Sequence, residues 1–502
     1  MTFRSSVCLC LLILLLSYCA PAPAPDGATL AKIHCSSCHQ FPEPGHLDQK
    51  SWREYILPRM GYALGVLPVD SVGGGFIEPF AEAAAFSNPM LFRKEASVTK
   101  AEWQAIRDYY LAEAPVALPG NQEPEVTIEL PQFKVNFPNH FLSPPSSTLV
   151  RMGNDQLFVG DAHTRKLYIF DDEGQLLKAA NAGAVPVWLN DHPEGYLVTN
   201  MGAFSPTDAG LGQVVFLPKK ATQQAMVLID SLRRPVHTEL ADLDQDGISD
   251  LLICEFAKWT GGLAWWKNNG RGGFERKPLR NMPGAMKAYA RDLNGDQRLD
   301  IVALFGQGDE GIFAFYNEGE GRFREERLLR FPPSHGSSYF KLFDYNQDGH
   351  LDIIYTCGDN ADFPPINKPY HGIYIFSNDG QNQFTQSFFH PMYGAYAAHP
   401  EDFDQDGDLD IAAIAFFPDF KQAPQSGFRY LENQGEMKMR AYTFPGAQKG
   451  RWIVMDAADQ DGDGDQDLIL GALAFEVIPK QGLVEQWVKE GIPYVVLENV
   501  LR

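Results

Sequence analysis

Asp242-Leu-Asp-Gln-Asp-Gly-Ile-Ser-Asp250 decides the fold of this chain, because the pattern returns four times at near-constant spacing. The other copies are Asp292-Leu-Asn-Gly-Asp-Gln-Arg-Leu-Asp300, Asp344-Tyr-Asn-Gln-Asp-Gly-His-Leu-Asp352, Asp402-Phe-Asp-Gln-Asp-Gly-Asp-Leu-Asp410 and Asp459-Gln-Asp-Gly-Asp-Gly-Asp-Gln-Asp467. Their starts lie 50, 52, 58 and 57 residues apart. Side-chain oxygens at positions one, three and five, a carbonyl at seven and a Gly at six make the arrangement of a calcium loop. The candidate ligands are Asp242, Asp244, Asp246 and Asp250; Asp292, Asn294, Asp296 and Asp300; Asp344, Asn346, Asp348 and Asp352. The last two loops add Asp402, Asp404, Asp406 and Asp410, then Asp459, Asp461, Asp463 and Asp467. The second loop departs, with Gly295 at position four and Gln297 at six, and its site is expected to be weaker. An EF-hand needs flanking helices and a Glu at position twelve. Here position nine is Asp and short β-type runs follow, such as Ile301-Val-Ala-Leu304, so the loops join strands.

Farther along each unit, an apolar strand ends in Asn-x-Gly, as at Asn268-Asn-Gly270, Asn317-Glu-Gly319, Asn378-Asp-Gly380 and Asn433-Gln-Gly435. Asn-x-Gly between strands reads as a hairpin turn. Four strands per unit at this period read as propeller blades. The pattern resembles the FG-GAP/VCBS-type repeat family over roughly residues 235–502. Before the first Asp loop, 149–177 and 185–232 alternate strands and turns without calcium signals, which raises the count to seven blades. The last unit lacks a fourth strand, and Glu125-Val-Thr-Ile-Glu-Leu130 is expected to supply it and lock the ring.

Ahead of the propeller stands Cys35-Ser-Ser-Cys38-His39. Two thiols two residues apart with a trailing His have the spacing of c-type haem attachment. Cys35 and Cys38 would bond the haem and His39 would ligate its iron. A zinc site needs further short-range ligands, and no second CxxC exists. Residues 28–118, with helices expected around Ala28–Ile33, from an N-cap at Ser51, and after the capping box Thr99–Glu102, resemble the cytochrome c fold. The second axial ligand is expected to be Met60, after the Trp52-bearing helix, or Met90; His34, His46 or an open position remain. Cys254 and Cys357 each follow an apolar run and are expected as buried free thiols.

Residues 1–19 read as an export signal: Arg4 precedes the apolar run Val7–Leu16, too short for a mature span. Leu16-Ser-Tyr-Cys19 resembles a bacterial lipobox, with Tyr18 a bulky departure, so Cys19 is the expected lipidation site; an ordinary signal cut nearby is the alternative. Residues 20–27 supply a Pro/Ala tether. Localisation follows as the periplasmic or cell-surface face of a bacterial membrane.

The net charge is −22, and twenty Asp of the five loops carry much of it. Five calcium ions would offset about ten of those charges. With no basic cluster, nucleic-acid binding is disfavoured. The fold class is thus a small all-α domain followed by an all-β seven-bladed propeller (residues 119–502) with one haem and up to five calcium ions. Gly358 to Gly372 is an insertion, stretching its interval to 26 residues against 18 and 17 in the two preceding blades. It offers Lys368, Tyr370 and His371 as candidate catalytic residues. His237, Lys287, His335 and His399 fall near equivalent positions in four blades and are expected to converge, or else to be unrelated strand-end residues. Two readings follow. One is an electron-transfer lipoprotein whose propeller binds a redox partner protein or a glycan. The other is a dehydrogenase in which the propeller oxidises a sugar or alcohol and the haem accepts the electrons. A calcium-dependent adhesion module is a third reading.

Overall fold

The computed structural model describes residues 25–66, 93, 95–120, 123–153, 155–220, 223–362, 364–474 and 482–501. The expected signal, Cys19, most of the tether and Met90 lie outside these residues. No helix among the described residues is long and apolar enough to cross a membrane.

Seven sheets form the propeller, spanning 147–181, 186–232, 235–280, 285–330, 337–391, 395–443 and 452–499. The strand leaving each Asp loop reads as an unbroken apolar run because it is covered on both faces: all six residues of Asp300–Phe305 are buried. The outermost strand Phe323–Arg330 meets water and its buried character fades. Asn-x-Gly closes the turn after the third strand, with Gly319 at φ 78° and Gly380 at φ 81°, where a side chain is disfavoured.

Every innermost strand carries the same irregularity. Its pairing with the second strand slips between its first and third residues, in all seven blades. A bulge of this kind re-aims the side chain that follows it.

The ring closes with an N-terminal strand, but not with 125–130. Phe133–Asn136 pairs antiparallel with Tyr494–Asn499, in the register Phe133↔Asn499 to Asn136↔Val496. Lys134 and Glu498 face each other in that register at 2.8 Å. Phe133 packs edge-on against Phe403 and Tyr430, at 5.8 and 5.5 Å between ring centres. Residues Thr127–Ile128 instead run parallel to Met439–Thr443 as a fifth strand of the sixth blade. Both segments alternate well enough to be strands. The aromatic pocket that accepts Phe133 selects between them, and Glu125–Leu130 offers no ring to fill it.

Gly27–Cys35, Gln49–Ser51 running through a π-helical turn Trp52–Ile56 into Leu57–Ala63, and Lys100–Glu113 make the helical region. Thr99 and Glu102 form the expected capping box. The second helix starts earlier than expected: Asp48, not Ser51, is the cap, accepting from the Ser51 amide at 2.7 Å. Its core gathers Leu30, Trp52, Leu57, Trp103, Ile106 and Tyr110. Trp52 Nε1 donates to the Pro44 carbonyl at 2.8 Å and Tyr110 Oη to that of Pro42 at 2.9 Å, so both buried polar tips are satisfied.

Candidate functional site

The helical region sits on the fifth blade through the insertion. Tyr370 Oη donates to the His46 carbonyl at 3.0 Å, the His46 ring meets the Tyr370 ring edge-on, and Ile366 packs on the helical core. His46 Nδ1 lies 3.4 Å from Ser334 Oγ, so this His serves the junction between the two parts. His335 belongs here too. It is stacked on Tyr370 at 5.0 Å and 16°, and burial pushes its pKa down to about 3. The expected convergence of four blade residues therefore loses His335.

The insertion is largely committed to its own framework. Lys368 Nζ donates to the Asn360 side-chain oxygen at 2.9 Å and to its carbonyl, and His371 Nε2 lies 3.1 Å from the same side-chain oxygen. Lys368 and His371 are fully buried. Of the three candidate catalytic residues, Lys368 alone reaches the cavity described next.

One cavity of about 1980 Å³ joins the two parts of the molecule. Its roof is helical: Cys35, Cys38, His39, Trp52, Met60 and Tyr110. Its floor is the central channel of the propeller, where the third and fifth residues of every innermost strand line it. The third residues include Trp188, His237, Lys287 and Tyr339; the fifth include Arg151, Glu239, Tyr289, Lys341, His399 and Asp456. The repeated bulge is what aims them inward. His237, Lys287 and His399 thus do converge. Trp188, Tyr289 and Tyr339 were missed because an aromatic residue on an inner strand reads as core.

Charge in the channel is mostly paired. Arg151 meets Asp456 at 3.3 Å, Lys341 meets Glu401 at 2.9 Å and Arg291 meets Glu239 at 3.5 Å. Lys287 is different: its Nζ stands over the rings of Tyr339, Tyr289 and Trp188, at 4.2, 5.1 and 5.2 Å from their centres. Burial, with Lys341 nearby, brings its pKa down to about 7. His237 lies against Trp188 with 4.3 Å between rings, and burial holds its pKa well below the ordinary value.

The Cys–His segment has features that fit a covalently held haem. Cys35 and Cys38 are both free. Burial raises the Cys35 thiol to about 11, whereas Cys38 is exposed. His39 is buried and its Nδ1 lies 2.8 Å from the Gln40 carbonyl. That contact holds the proton on Nδ1 and leaves Nε2 as the ligating nitrogen, the arrangement that orients metal-bound imidazoles. Met60, half-buried, lines the same cavity. Among the described residues, groups of three or more His, Cys, Asp or Glu with ligand atoms within 4.8 Å are all Asp triads, so Cys35, Cys38 and His39 do not converge as a small-ion site would.

Those triads are Asp242, Asp244 and Asp246; Asp402, Asp404 and Asp406; Asp459, Asp461 and Asp463. In the second and third loops, Asn294 and Asn346 at position three instead donate to Asp296 and Asp348. The departure at Gln297 leaves the loop shape intact: its amide reaches Asp292 at 2.8 Å, as that of Gly247 reaches Asp242. The ninth-position Asp has other work. Asp250, Asp300, Asp352, Asp410 and Asp467 each accept the backbone amide of the repeat Asn at 2.7–2.8 Å. That Asn side chain returns a bond to the carbonyl just before the Asp, for instance Asn378 to Leu351 at 3.0 Å. The ninth Asp thus staples the loop to the third strand.

The family pattern of the FG-GAP-like repeat matches residues 242–303 and 292–355. The chain is thus a seven-bladed β-propeller carrying FG-GAP-like repeats. No curated protein matches it. Among solved structures, virginiamycin B lyase from Staphylococcus aureus is similar over 73% of this chain and 99% of that one, at 10% identity and TM-score 0.45. The N-terminal domain of Nup159 is similar over 76% and 98%, at 9% identity and TM-score 0.43. The periplasmic gluconolactonase of Pseudomonas aeruginosa is similar over 59% and 83%, at 16% identity and TM-score 0.38.

Proposed function

We propose that this is an exported, lipid-anchored c-type cytochrome that transfers electrons, with a calcium-braced propeller as its binding module. The observation that carries the reading is the Cys35–His39 segment forming the roof of a cavity whose floor is the propeller channel. Cys35 and Cys38 would hold the haem, His39 would ligate its iron through Nε2, and Met60 or Met90 would supply a further ligand. A haem bound there supplies one-electron redox chemistry. The chain's own residues set its surroundings. Trp52, Leu57 and Trp103 keep one wall apolar and dry, while Arg330 and Asp309 of the propeller place opposite charges in the field felt by His39.

Propellers with such repeats are suited to binding, and the partner is a redox protein or a glycan presented to the helical side. The second reading, oxidation of a small sugar or alcohol within the propeller, is favoured by the continuity of the one cavity from channel to roof.

Expression with c-type haem attachment machinery tests the proposal. A covalent haem seen by mass and by its pyridine haemochrome spectrum, lost in a Cys35→Ala/Cys38→Ala variant that keeps its β-sheet circular dichroism, is expected. An exported chain with both thiols unmodified overturns it. Reduction of the oxidised haem by added sugars or alcohols selects the second reading.

A further inference from the structure

We propose that the central channel holds a binding site for a small organic carboxylate, its charge between Lys287 and His237 and its carbon skeleton against Trp188 and Tyr339. The site is argued from the propeller alone and stands whether or not the roof carries haem.

Three observations point there. Lys287 has no ion pair: among the described residues no carboxylate lies within ion-pair distance of it, although Arg151, Lys341 and Arg291 in the same channel each have one. Three ring centres lie 4.2 to 5.2 Å from its ammonium, and ring faces stabilise a cation less than a paired carboxylate does. His237 is 2% exposed and lines the cavity, yet neither of its ring nitrogens has a hydrogen-bond partner. A buried imidazole without a partner is costly, and this ring and the Lys287 ammonium lie against the same Trp188 ring. The third observation is shape: Trp188 and Tyr339 supply flat apolar walls on the same layer of the channel, the mixture of apolar lining and few polar groups that marks small-molecule sites.

The pairing of groups selects the ligand class. A carboxylate offers two acceptor oxygens, one for the Lys287 ammonium and one for the His237 N–H, and brings the missing negative charge. A cation would be repelled by Lys287, and a neutral ligand would leave it without an ion-pair partner. A large polyanion is disfavoured because Glu239 and Asp456 lie in the layer beneath.

Calorimetric titration of benzoate into the full chain tests this, with benzamide as the neutral isostere. Saturable benzoate binding is expected, with benzamide weaker by about tenfold or more. Lys287→Met should weaken benzoate by about tenfold or more, and Lys287→Arg, which keeps the charge, should stay within about threefold. His237→Phe should weaken it several-fold. Absence of saturable benzoate binding to the wild-type chain, equal affinity for benzamide, or a Lys287→Met variant that melts normally and binds as wild type overturns the site. If Lys287→Met does not fold, Lys287→Arg and His237→Phe carry the test: loss of binding in the first, or unchanged binding in the second, overturns it equally.

Discussion

Glu310 is a carboxyl at 3% exposure, held by the Ser337 amide at 2.9 Å and hydroxyl at 2.7 Å. Burial pushes its pKa up to about 8 from an ordinary 4.5. The folded state therefore keeps the proton longer than the unfolded one. Stability from this group is complete below the unfolded pKa and falls as pH rises toward 8. Glu310→Gln should match the wild type in stability near pH 4 and exceed it near pH 9, by roughly a few kcal/mol. Parallel melting curves across that range would remove Glu310 as the cause. At this scale the sequence was a partial guide. His237, Lys287 and His399 were legible from their place before an Asp loop. His335 shares that place but precedes the bulge that aims the others inward, and stacks on Tyr370 instead. Trp188 and Tyr339 carry no polar signal, and only the bulge, a feature of pairing rather than composition, shows that they face a channel.

The Asp loops are the element that builds the blades, and they stand at the opposite end of the strands from the cavity. Each innermost strand leaves the cavity, enters its loop and returns to the cavity mouth, as 235–241 and 250–255 do around Asp242–Asp250. On the calcium reading, the three loops with converging triads should bind most tightly and the two with Asn at position three should empty first. An Asp402→Asn/Asp404→Asn variant should lose one ion per chain by metal analysis, and a chelator should lower the melting temperature of the wild type. An unchanged metal content in the variant, or indifference to chelator, removes the fourth loop or calcium altogether. The repeat motif made these loops plain in the sequence. What it concealed was the division of labour inside them, since Asp at position nine looks the same as Asp at position one. Only the amides of Asn268, Asn317 and their counterparts reveal the staple.

For the whole molecule, the decisive contacts join residues 270 to 366 positions apart. Phe133 fills the aromatic pocket of Phe403 and Tyr430 while its strand finishes the seventh blade. Phe133→Ala should destabilise the propeller by about 3 kcal/mol or more, read as an earlier urea midpoint. Ile128→Ala, on a half-exposed residue of the added strand, should shift it far less. Equal shifts would mean that the two strands close the ring together. Blade number followed from five Asp-loop repeats and two strand-and-turn stretches ahead of them, because each such unit buries its faces only against its neighbours. The closing strand did not, because alternation over four to six residues is common and its partner lies at the far end of the chain.

That long-range pairing also orders events during synthesis. The segment 133–136 leaves the ribosome early, and its partner 494–499 is made some 360 residues later. At roughly 5–20 residues per second, the early strand waits on the order of tens of seconds with its backbone unpaired. A waiting strand of this kind can pair with another chain. The period before the last strand emerges is therefore when a nascent molecule is most exposed to joining its neighbour, and when a chaperone would have most to protect.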